Sequence, residues 1–245
     1  MPIRESVADR IVSTLEACAS KKRSATFTEL VEETGLAKTT VHRMCWKMVE
    51  LGLLEHSPEG FAVGSKLFAL AASNPSITDL RVAAIPHLIE LHQRTGAMPS
   101  LAILSGGQAL VLDGLFTRES SPLPRLVGYA LPLHCTAIGK AIAARLDPED
   151  AEELLFSRSR LPAATKHTIV RTSMLRDHLA RVAETGVALS DEELIEGNKG
   201  VAAGFKLGGG GVAAIGCVEA WNSPTLRDAP VLVARAAASL EQAMA

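Results

Sequence analysis

Residues 35–55 read GLAKTTVHRMCWKMVELGLLE, and their pattern decides the fold of the N-terminal third of the chain. The apolar residues at positions 41, 44, 45 and 48 recur at the spacing of one helical face, so the stretch predicts an amphipathic helix. Positions 39, 42, 43, 46, 47 and 50 then face solvent. Between positions 36 and 49 the helix carries Lys38, Arg43 and Lys47 and no acidic residue. The sequence therefore predicts a helix with one buried face and one exposed basic face.

Two further helices are predicted before this stretch and a β-hairpin after it. Residues 6–19 and 26–34 each show helical apolar spacing and begin with the pattern of a capping box, and Gly35 suits the end of the second helix. The hairpin is predicted at residues 53–64, where SPEG at 57–60 fits a tight turn. The two capping boxes pair Ser6 with Asp9 and Thr26 with Glu29. Helix, helix, short turn, helix and hairpin is the order of a winged helix-turn-helix.

The remainder of the chain predicts a larger part in which strands and helices are mixed. Asn74-Pro75 marks a boundary, a long helix follows at about 76–95, and the glycines at 106–107 and 208–211 each suit the turn between two strands. Strands mixed with helices around one sheet indicate an α+β chain. The predicted parts are a winged helix-turn-helix at 1–66, a linker helix at 67–75 and a mixed α/β domain at 76–245.

Composition excludes several classes of protein. The 245-residue chain is 47% hydrophobic and 21% charged with a net charge of −2, so any nucleic-acid surface must be local. The N-terminus lacks the apolar core of a signal peptide, and no apolar run approaches the roughly 18 residues that span a membrane. The scattered cysteines suit reduced thiols in a cytoplasm better than a disulfide framework. They are Cys18, Cys45, Cys135 and Cys217.

His42 and Cys45 are close enough in sequence to suggest a metal site or a nucleophile. Both lie within one helical turn, but a structural zinc needs about four ligands, and no second His/Cys pair lies nearby. A catalytic cysteine needs a partner that meets the thiol in space, which nearness in sequence does not supply. Cys45 also belongs to the buried face, where it serves as a small core residue. We therefore expect no metal, no cofactor and no catalytic residue.

The exposed basic face fits a helix that reads DNA. In a helix-turn-helix the second helix of the motif enters the major groove, and the wing contacts the flanking backbone. Arginine can pair with guanine through two hydrogen bonds, while hydroxyls, histidine and lysine can reach bases or phosphates. The alternative is a basic face that is merely solvated, as most charge runs are, but the neighbouring helix, turn and hairpin favour DNA. The predicted DNA-binding residues are Lys38, Thr39, Thr40, His42, Arg43 and Lys47.

Three stretches resemble the IclR family of transcriptional regulators. Residues 35–55, followed by GFAVG at 60–64, look like the DNA-binding domain of that family. ALPLHCTAIGKAIAARL at 130–146 looks like its effector-domain signature, and GVALSDEELIEGNKGVAA at 186–203 looks like its later strand-loop-strand segment. The resemblance implies a winged helix, a linker helix and a GAF-like ligand-binding domain. It also implies dimers that pair through the N-terminal and linker helices and often associate into tetramers.

The second of these motifs also invites enzymatic interpretations. Gly139-Lys140 looks like part of a phosphate-binding loop, but the further glycine and the Ser/Thr that such a loop needs are missing. Cys135 lacks an evident base and orienting group, so it is interpreted as structural. Thr136 instead begins a helix after Pro132, and the amide groups of its first turn suit a polar ligand group. The rival class is an enzyme whose N-terminal helices serve only assembly, and a third reading is a winged helix used for protein contact.

The effector cavity that the resemblance implies departs here from the family's pattern. Relatives that bind small carboxylates have an acidic residue at the position of Ser190, a cysteine at Gly200 and serines at Gly216 and Val218. Positions 216 and 218 point to one face of a strand, so the change predicts a roomier and less polar cavity. Such a cavity suits an aromatic or otherwise mostly apolar catabolite, and the alternative is a degenerate cavity that binds nothing. The predicted ligand-binding residues are Thr136, Ala137, Ile138, Ser190, Asn198, Gly200, Gly216 and Val218.

The expected partners are double-stranded pseudo-palindromic operator DNA, a small-molecule effector and further copies of the chain, as a homodimer or tetramer. The apolar stripe Val7, Ile11 and Leu15 and the helix at 67–72 are the expected dimer contacts. We expect a cytoplasmic transcription factor, with repression as the starting hypothesis, that is not an enzyme and has no membrane partner. The sequence leaves open the operator, the effector, and the choice between repression and activation.

Overall fold

The chain divides into two compact units, Met1–Thr78 and Asp79–Ala245. No helix within the described ranges is both long enough and apolar enough to cross a membrane. The computed structural model describes residues 6–21, 23–115, 127–220 and 227–245.

The first unit begins with the two capped helices that the sequence predicts. At the first helix the Ser6 hydroxyl accepts from the Asp9 amide at 3.2 Å, and the Asp9 carboxylate accepts from the Ser6 amide at 2.7 Å. Thr26 and Glu29 repeat the arrangement at the second helix, and Gly35 ends that helix with a left-handed φ of 65°. The elements are α1 Val7–Ala19, α2 Phe27–Thr34, α3 Lys38–Glu50, β1 Leu54–Ser57, β2 Gly60–Val63 and α4 Ser65–Ala72.

The core of the first unit lies between α3, α2 and the hairpin. Val41, Cys45 and Met48 on α3 are fully buried and belong to the same apolar cluster as Leu30 and Phe61. Strands β1 and β2 pair antiparallel, as the predicted turn at 57–60 requires. The element order confirms a winged helix-turn-helix, followed by α4 as the linker helix, which has no buried residue.

The second unit is built on one antiparallel sheet of six strands. The predicted hairpins across 106–107 and 208–211 are both present, and the α+β prediction is confirmed. The elements are α5 Pro75–Thr95, β3 Met98–Ser105, β4 Gln108–Gly114, β5 Ala130–Leu131, α6 Ala137–Ala143, α7 Pro148–Ala151, a π-helical turn Glu152–Phe156, α8 Thr172–Thr185, β6 Ala188–Asp191, β7 Asn198–Lys206, β8 Val212–Ala220 and α9 Ala229–Ala243.

The strands follow the order β5-β4-β3-β8-β7-β6 across the sheet. Helices cover both faces of this sheet, and the alternation of side chains along β7 decides which residues meet which helices. Val201 and Phe205 point into the cluster formed with α5 and α9, whereas Ala202 points into the cluster formed with α6 and α8. A side chain at Gly204 would clash with the carbonyl oxygen of Ala141. Glycine at this position therefore lets α6 lie directly on β7, which brings the first turn of α6 close to strands β6, β7 and β8.

Candidate functional site

The face of α3 that the sequence assigns to DNA is exposed. Lys38, Thr39, His42, Arg43 and Lys47 are all exposed, and Thr40 is half-buried. The helix has no acidic residue in its first turn, and Ala37 at its N-cap makes no capping hydrogen bond with its side chain. The positive end of the helix dipole and the nearby basic side chains therefore share one surface, which favours an anionic partner.

One of the basic side chains on this face is already paired. The Lys47 ammonium lies 2.9 Å from the carboxylate of Glu50, and both side chains are largely exposed. Such an exposed pair is weak, and a phosphate can compete with it. Lys47 therefore differs from Arg43 in having an acidic neighbour that a DNA contact would have to displace.

The structure adds an aromatic group that the sequence reasoning missed. Trp46 lies 4.8 Å from His56 and 5.9 Å from Phe61 between ring centroids, so it contacts both strands of the wing. Its indole Nε1–H also donates to His42 Nε2 at 3.1 Å. The i, i+4 spacing of His42 and Trp46 was a usable sequence signal for the second contact, but nothing local signals that the wing packs on the same ring.

A second candidate site is a cavity of about 100 Å³ in the second unit. It lies between the first turn of α6 and the ends of β6, β7 and β8, and all eight predicted ligand-binding residues line it. The sequence reasoning missed Met98 and Ser100 on β3, and Leu194 and Ile195 in the connection after β6. Met98 and Ser100 belong to a strand distant in sequence from the predicted residues, so the strand order was needed to identify them. Leu194 and Ile195 lie between the predicted Ser190 and Asn198, so their position in the sequence was a usable signal.

Most side chains around the cavity are apolar, and two of its polar groups are already engaged. Thr136 accepts from the Gly139 amide and donates to the Pro132 carbonyl oxygen, both at 2.9 Å. Ser190 donates to the Cys135 carbonyl oxygen at 3.4 Å. Thr136 therefore fixes the first turn of α6, and a ligand has few polar side chains to meet.

The glycines of the cavity are not equivalent. A Cβ at Gly200 would lie 3.1 Å from the Cβ of Ala137, so a small side chain there would occupy cavity space. A Cβ at Gly216 would lie 2.6 Å from both the Cβ of Ala202 and the carbonyl oxygen of Val201. The expectation that Gly216 makes the cavity roomier is therefore wrong, because β7 already occupies the space where a side chain would go.

A buried ion pair holds the connection that forms one wall of the cavity. Lys140 on α6 is fully buried and donates to Glu193 Oε1, and burial lowers the pKa of the lysine. The backbone carbonyl of Glu193 also accepts from the Thr168 hydroxyl at 2.7 Å. Glu193 directly precedes Leu194 and Ile195, so the pair places these two apolar side chains. Lys140 thus has a structural partner, which agrees with the rejection of a phosphate-binding loop.

The cysteines weighed as nucleophiles are both buried. Burial raises the pKa of the Cys135 thiol to about 11, with the negative charge of Glu193 adding to the effect. Burial also raises the pKa of Cys45, which lies in the core of the first unit. Neither thiol is activated as a nucleophile would be. In the part of the chain that the structure describes, no three His, Cys, Asp or Glu side chains meet as metal ligands would.

Comparison with known families matches both units. Residues 7–58 match a family profile described as the IclR helix-turn-helix domain. Residues 74–222 match one described as the bacterial transcriptional regulator IclR C-terminal domain. The second profile alone spans more than half of the chain.

Individual relatives are also named as regulators. The chain is 31% identical over 183 residues to the acetate operon repressor of Salmonella typhimurium, covering 73% of this chain and 66%, about two thirds, of that protein. It is 30% identical over 222 residues to the regulator BhcR of Paracoccus denitrificans, covering 89% of this chain and 77% of that protein. A crystal structure of an IclR homologue from Microbacterium hydrocarbonoxydans, complexed with 4-hydroxybenzoate, superposes with a TM-score of 0.85 and 28% identity over 98% of this chain and 99% of that chain.

Proposed function

The chain belongs to the IclR family of bacterial transcriptional regulators, and we propose that it binds operator DNA through α3 and responds to a small, mostly apolar effector in the second unit. The family is one of transcription factors and not of enzymes, so the rival enzymatic interpretation is wrong. The observation that carries the DNA half of the proposal is the exposed face of α3, which is basic in a helix placed as the reader of a helix-turn-helix.

Arg43 provides the sharpest test of DNA binding. It is exposed in the middle of α3, where a guanidinium can reach guanine O6 and N7. Arg43→Ala should cost about 1–3 kcal/mol of operator affinity and relax specificity at one base pair. Fluorescence anisotropy with a duplex selected from a random library by the wild-type chain, and with single-base-pair variants of that duplex, measures both effects. Arg158→Ala, at an exposed arginine of the second unit, is the matched control. Unchanged affinity in a folded Arg43→Ala protein would falsify the assignment.

Cavity size and lining support a single aromatic ring as the effector class. The volume of about 100 Å³ is of the order of a single ring, since an apolar cavity of about 150 Å³ can hold benzene. The relative that superposes over almost the whole chain was crystallised with 4-hydroxybenzoate. Asn198 and the amide groups at the first turn of α6 would orient the polar end of such a ligand.

Calorimetry with a panel of acids tests this effector class. Benzoate and 4-hydroxybenzoate should bind, and the densely polar glyoxylate and pyruvate should not, because the lining has few hydrogen-bond donors. Val218→Trp, which fills the cavity, should abolish binding and leave DNA binding intact. Leu189→Trp is the matched control, because Leu189 lies on β6 with an exposed side chain outside the cavity. Binding of only the small acids would disprove the aromatic assignment, and binding of neither class would favour a degenerate cavity.

The proposed assembly is a homodimer, able to associate further into a tetramer, on a pseudo-palindromic operator. A single winged helix offers a small interface, and a two-fold dimer matches two half-sites. The role as a repressor is supported by a relative of that name, the acetate operon repressor of Salmonella typhimurium. We propose the cytoplasm as its place of action, because that compartment holds the bacterial chromosome.

A further inference from the structure

Three rings form a continuous cluster between the DNA-facing helix and the wing. We call it the Trp46 cluster, and it consists of His42 and Trp46 on α3 and His56 on β1. The Trp46 ring lies between the other two, donating to His42 Nε2 at 3.1 Å and stacking at a tilt of 47° on His56. Phe61 on β2 has a buried side chain, and its ring packs against that of Trp46 with the two centroids 5.9 Å apart.

The hydrogen bond within this cluster determines which nitrogen of His42 carries the proton. An indole N–H can only donate, so the lone pair of His42 Nε2 must accept. An imidazole that accepts at Nε2 is neutral and carries its proton at Nδ1. We infer that Trp46 is a positioning residue for DNA recognition, which holds His42 as the Nδ1–H tautomer so that His42 donates to a hydrogen-bond acceptor of the DNA.

This inference rests on the proposed function and narrows it. If α3 enters the major groove, an Nδ1–H donor matches purine N7, guanine O6, thymine O4 or a phosphate oxygen. It does not match the amino groups of adenine or cytosine, which are donors themselves. His42 in the other tautomer could accept from those amino groups. Trp46 therefore restricts the set of bases that His42 can select, although its own ring need not touch DNA.

The packing of Trp46 explains why this restriction can be maintained at an exposed position. The Trp46 side chain is 44% exposed, so solvent alone would let it change rotamer. Contacts with His56 and Phe61 on the wing hold the ring in place, and aromatic pairs at such distances add to the stability gained by burial. Because the wing and His42 contact the same ring, the wing also fixes the direction of the His42 donor.

The tautomer can be measured without any DNA. Long-range ¹⁵N–¹H correlation spectra of the full chain report the protonated nitrogen of each histidine, and His42→Ala assigns the signals of His42. The wild type should show His42 as Nδ1–H, and Trp46→Phe, which keeps a ring on the wing but lacks the N–H, should lower the Nδ1–H share. A His42 tautomer that is the same in both proteins would overturn the inference, provided that thermal unfolding shows Trp46→Phe to be folded.

The consequence for recognition is tested with the duplex that the wild type selects from a random library. Trp46→Phe and His42→Ala should each weaken binding about three- to tenfold, as expected for one hydrogen bond. The double variant should bind no more weakly than His42→Ala alone, because the residues act as one unit. Equal effects of Trp46→Phe in both backgrounds would show a merely structural role and overturn the inference.

Modified duplexes identify the acceptor. Replacing purines one at a time by 7-deazapurines removes single N7 acceptors, and methylphosphonates remove single phosphate charges. Replacing guanine by 6-thioguanine or thymine by 4-thiothymine weakens single O6 or O4 acceptors, because sulfur is a poor hydrogen-bond acceptor. One such change should weaken the wild type but not His42→Ala, and a base change or a phosphate change would each support the inference. If no change distinguishes the two proteins, His42 donates to none of these acceptors and the inference is wrong. If the wild type selects no duplex, or if Arg43→Ala binds the selected duplex as tightly as the wild type does, the proposed function is wrong and this inference fails with it.

Discussion

Lys47 shows how one neighbouring carboxylate can change the energetics of a DNA contact. Its ammonium is exposed on the same helix as Arg43, yet it lies 2.9 Å from Glu50. On binding, a phosphate would replace the carboxylate as the partner, so the gain is the difference between two ion pairs. Glu50 lies on the same helix as the basic face, so its negative charge would also repel the DNA backbone. Removing the charge of Lys47 should therefore weaken DNA binding, whereas removing the charge of Glu50 should strengthen it.

We predict that Lys47→Ala weakens binding to all duplexes alike and flattens the plot of log Kd against log salt by about one unit, as expected for one lost phosphate contact. Glu50→Gln should tighten binding, because Lys47 then meets the phosphate without a competing carboxylate. Titrations of the selected duplex between low and moderate salt measure both slopes. Identical slopes for wild type and Lys47→Ala would show that Lys47 does not touch the backbone.

We predict different outcomes for alanine substitutions at Gly200 and at Gly216. Gly216→Ala places a methyl group 2.6 Å from β7, so a strand must shift, and overpacking of this kind costs about 1–3 kcal/mol. At Gly200→Ala the closest contact of the new methyl group is the Ala137 methyl group at 3.1 Å, and its other neighbours lie at ordinary contact distances of 3.7 and 3.9 Å. A shift of a few tenths of an ångström at Ala137 relieves this contact, so Gly200→Ala should narrow the cavity at a smaller cost in stability than Gly216→Ala. Thermal unfolding should show a lower midpoint for Gly216→Ala than for Gly200→Ala, and calorimetry should show weaker benzoate binding for Gly200→Ala. Equal midpoints would mean that the close approach of β7 and β8 is not rigid.

At the scale of elements, helix α8 places a titratable side chain in the layer of helices that it forms with α6. His178 on α8 is half-buried, and its Nε2 has no hydrogen-bond partner among the described residues. Burial, with the positive charges of Lys140 and Arg181 adding to its effect, lowers the pKa of His178 to about 4. The folded protein therefore keeps this imidazole neutral at pH values where the unfolded chain would protonate it.

The sign of the resulting pH dependence follows from this difference. Above a pH of about 6.5 both states are neutral at His178, and as pH falls from there to about 4 only the unfolded state gains the proton. Stability should therefore fall over this window by on the order of 2 kcal/mol, allowing for partial solvent screening. Urea unfolding at pH 7 and at pH 4.5 should show that the free energy of unfolding decreases less between these pH values for His178→Leu than for the wild type. An equal loss in both proteins would place the acid sensitivity elsewhere.

Helices whose first or last residues form a capping pattern could be predicted from the sequence. Ser6 with Asp9 and Thr26 with Glu29 form the expected capping boxes, and Gly35 and Gly186 end their helices in the left-handed conformation. Thr136 caps α6 as expected. In each case the deciding interaction joins residues a few positions apart, so the linear pattern contains it.

Features that depend on distant residues could not be predicted in this way. The Lys140–Glu193 pair joins residues 53 positions apart and is buried, although lysine and glutamate are seldom fully buried. The contact of Trp46 with the wing and the missing space beside Gly216 depend likewise on which strands and helices become neighbours. The residues that line the cavity could therefore be predicted in large part, whereas the volume of the cavity and the buried ion pair that holds one of its walls could not.

At the scale of the whole molecule, the first unit exposes apolar side chains that its own core does not use. Ile11 and Leu15, two of the three residues expected at a dimer contact on α1, pack partly against the core of the unit. Val7 is 70% exposed, and on α4 Phe68 and Leu70 are 73% and 55% exposed. We take the exposed apolar side chains of α4 as the candidate surface for a second copy of the chain, because exposed apolar groups can mark a protein interface.

We predict that this surface joins two copies of the chain, so that Phe68→Glu converts the dimer to a monomer. A buried carboxylate without a partner is strongly unfavourable at an apolar interface. The monomer would hold one half-site only, so affinity for the selected operator should fall by at least tenfold. Met174→Glu, at an exposed apolar position on α8, is the matched control and should change neither property. Light scattering at micromolar concentration gives the mass of each variant. A wild type that scatters as a monomer with and without DNA would refute the dimer, and a Phe68→Glu protein that stays dimeric would move the interface away from α4.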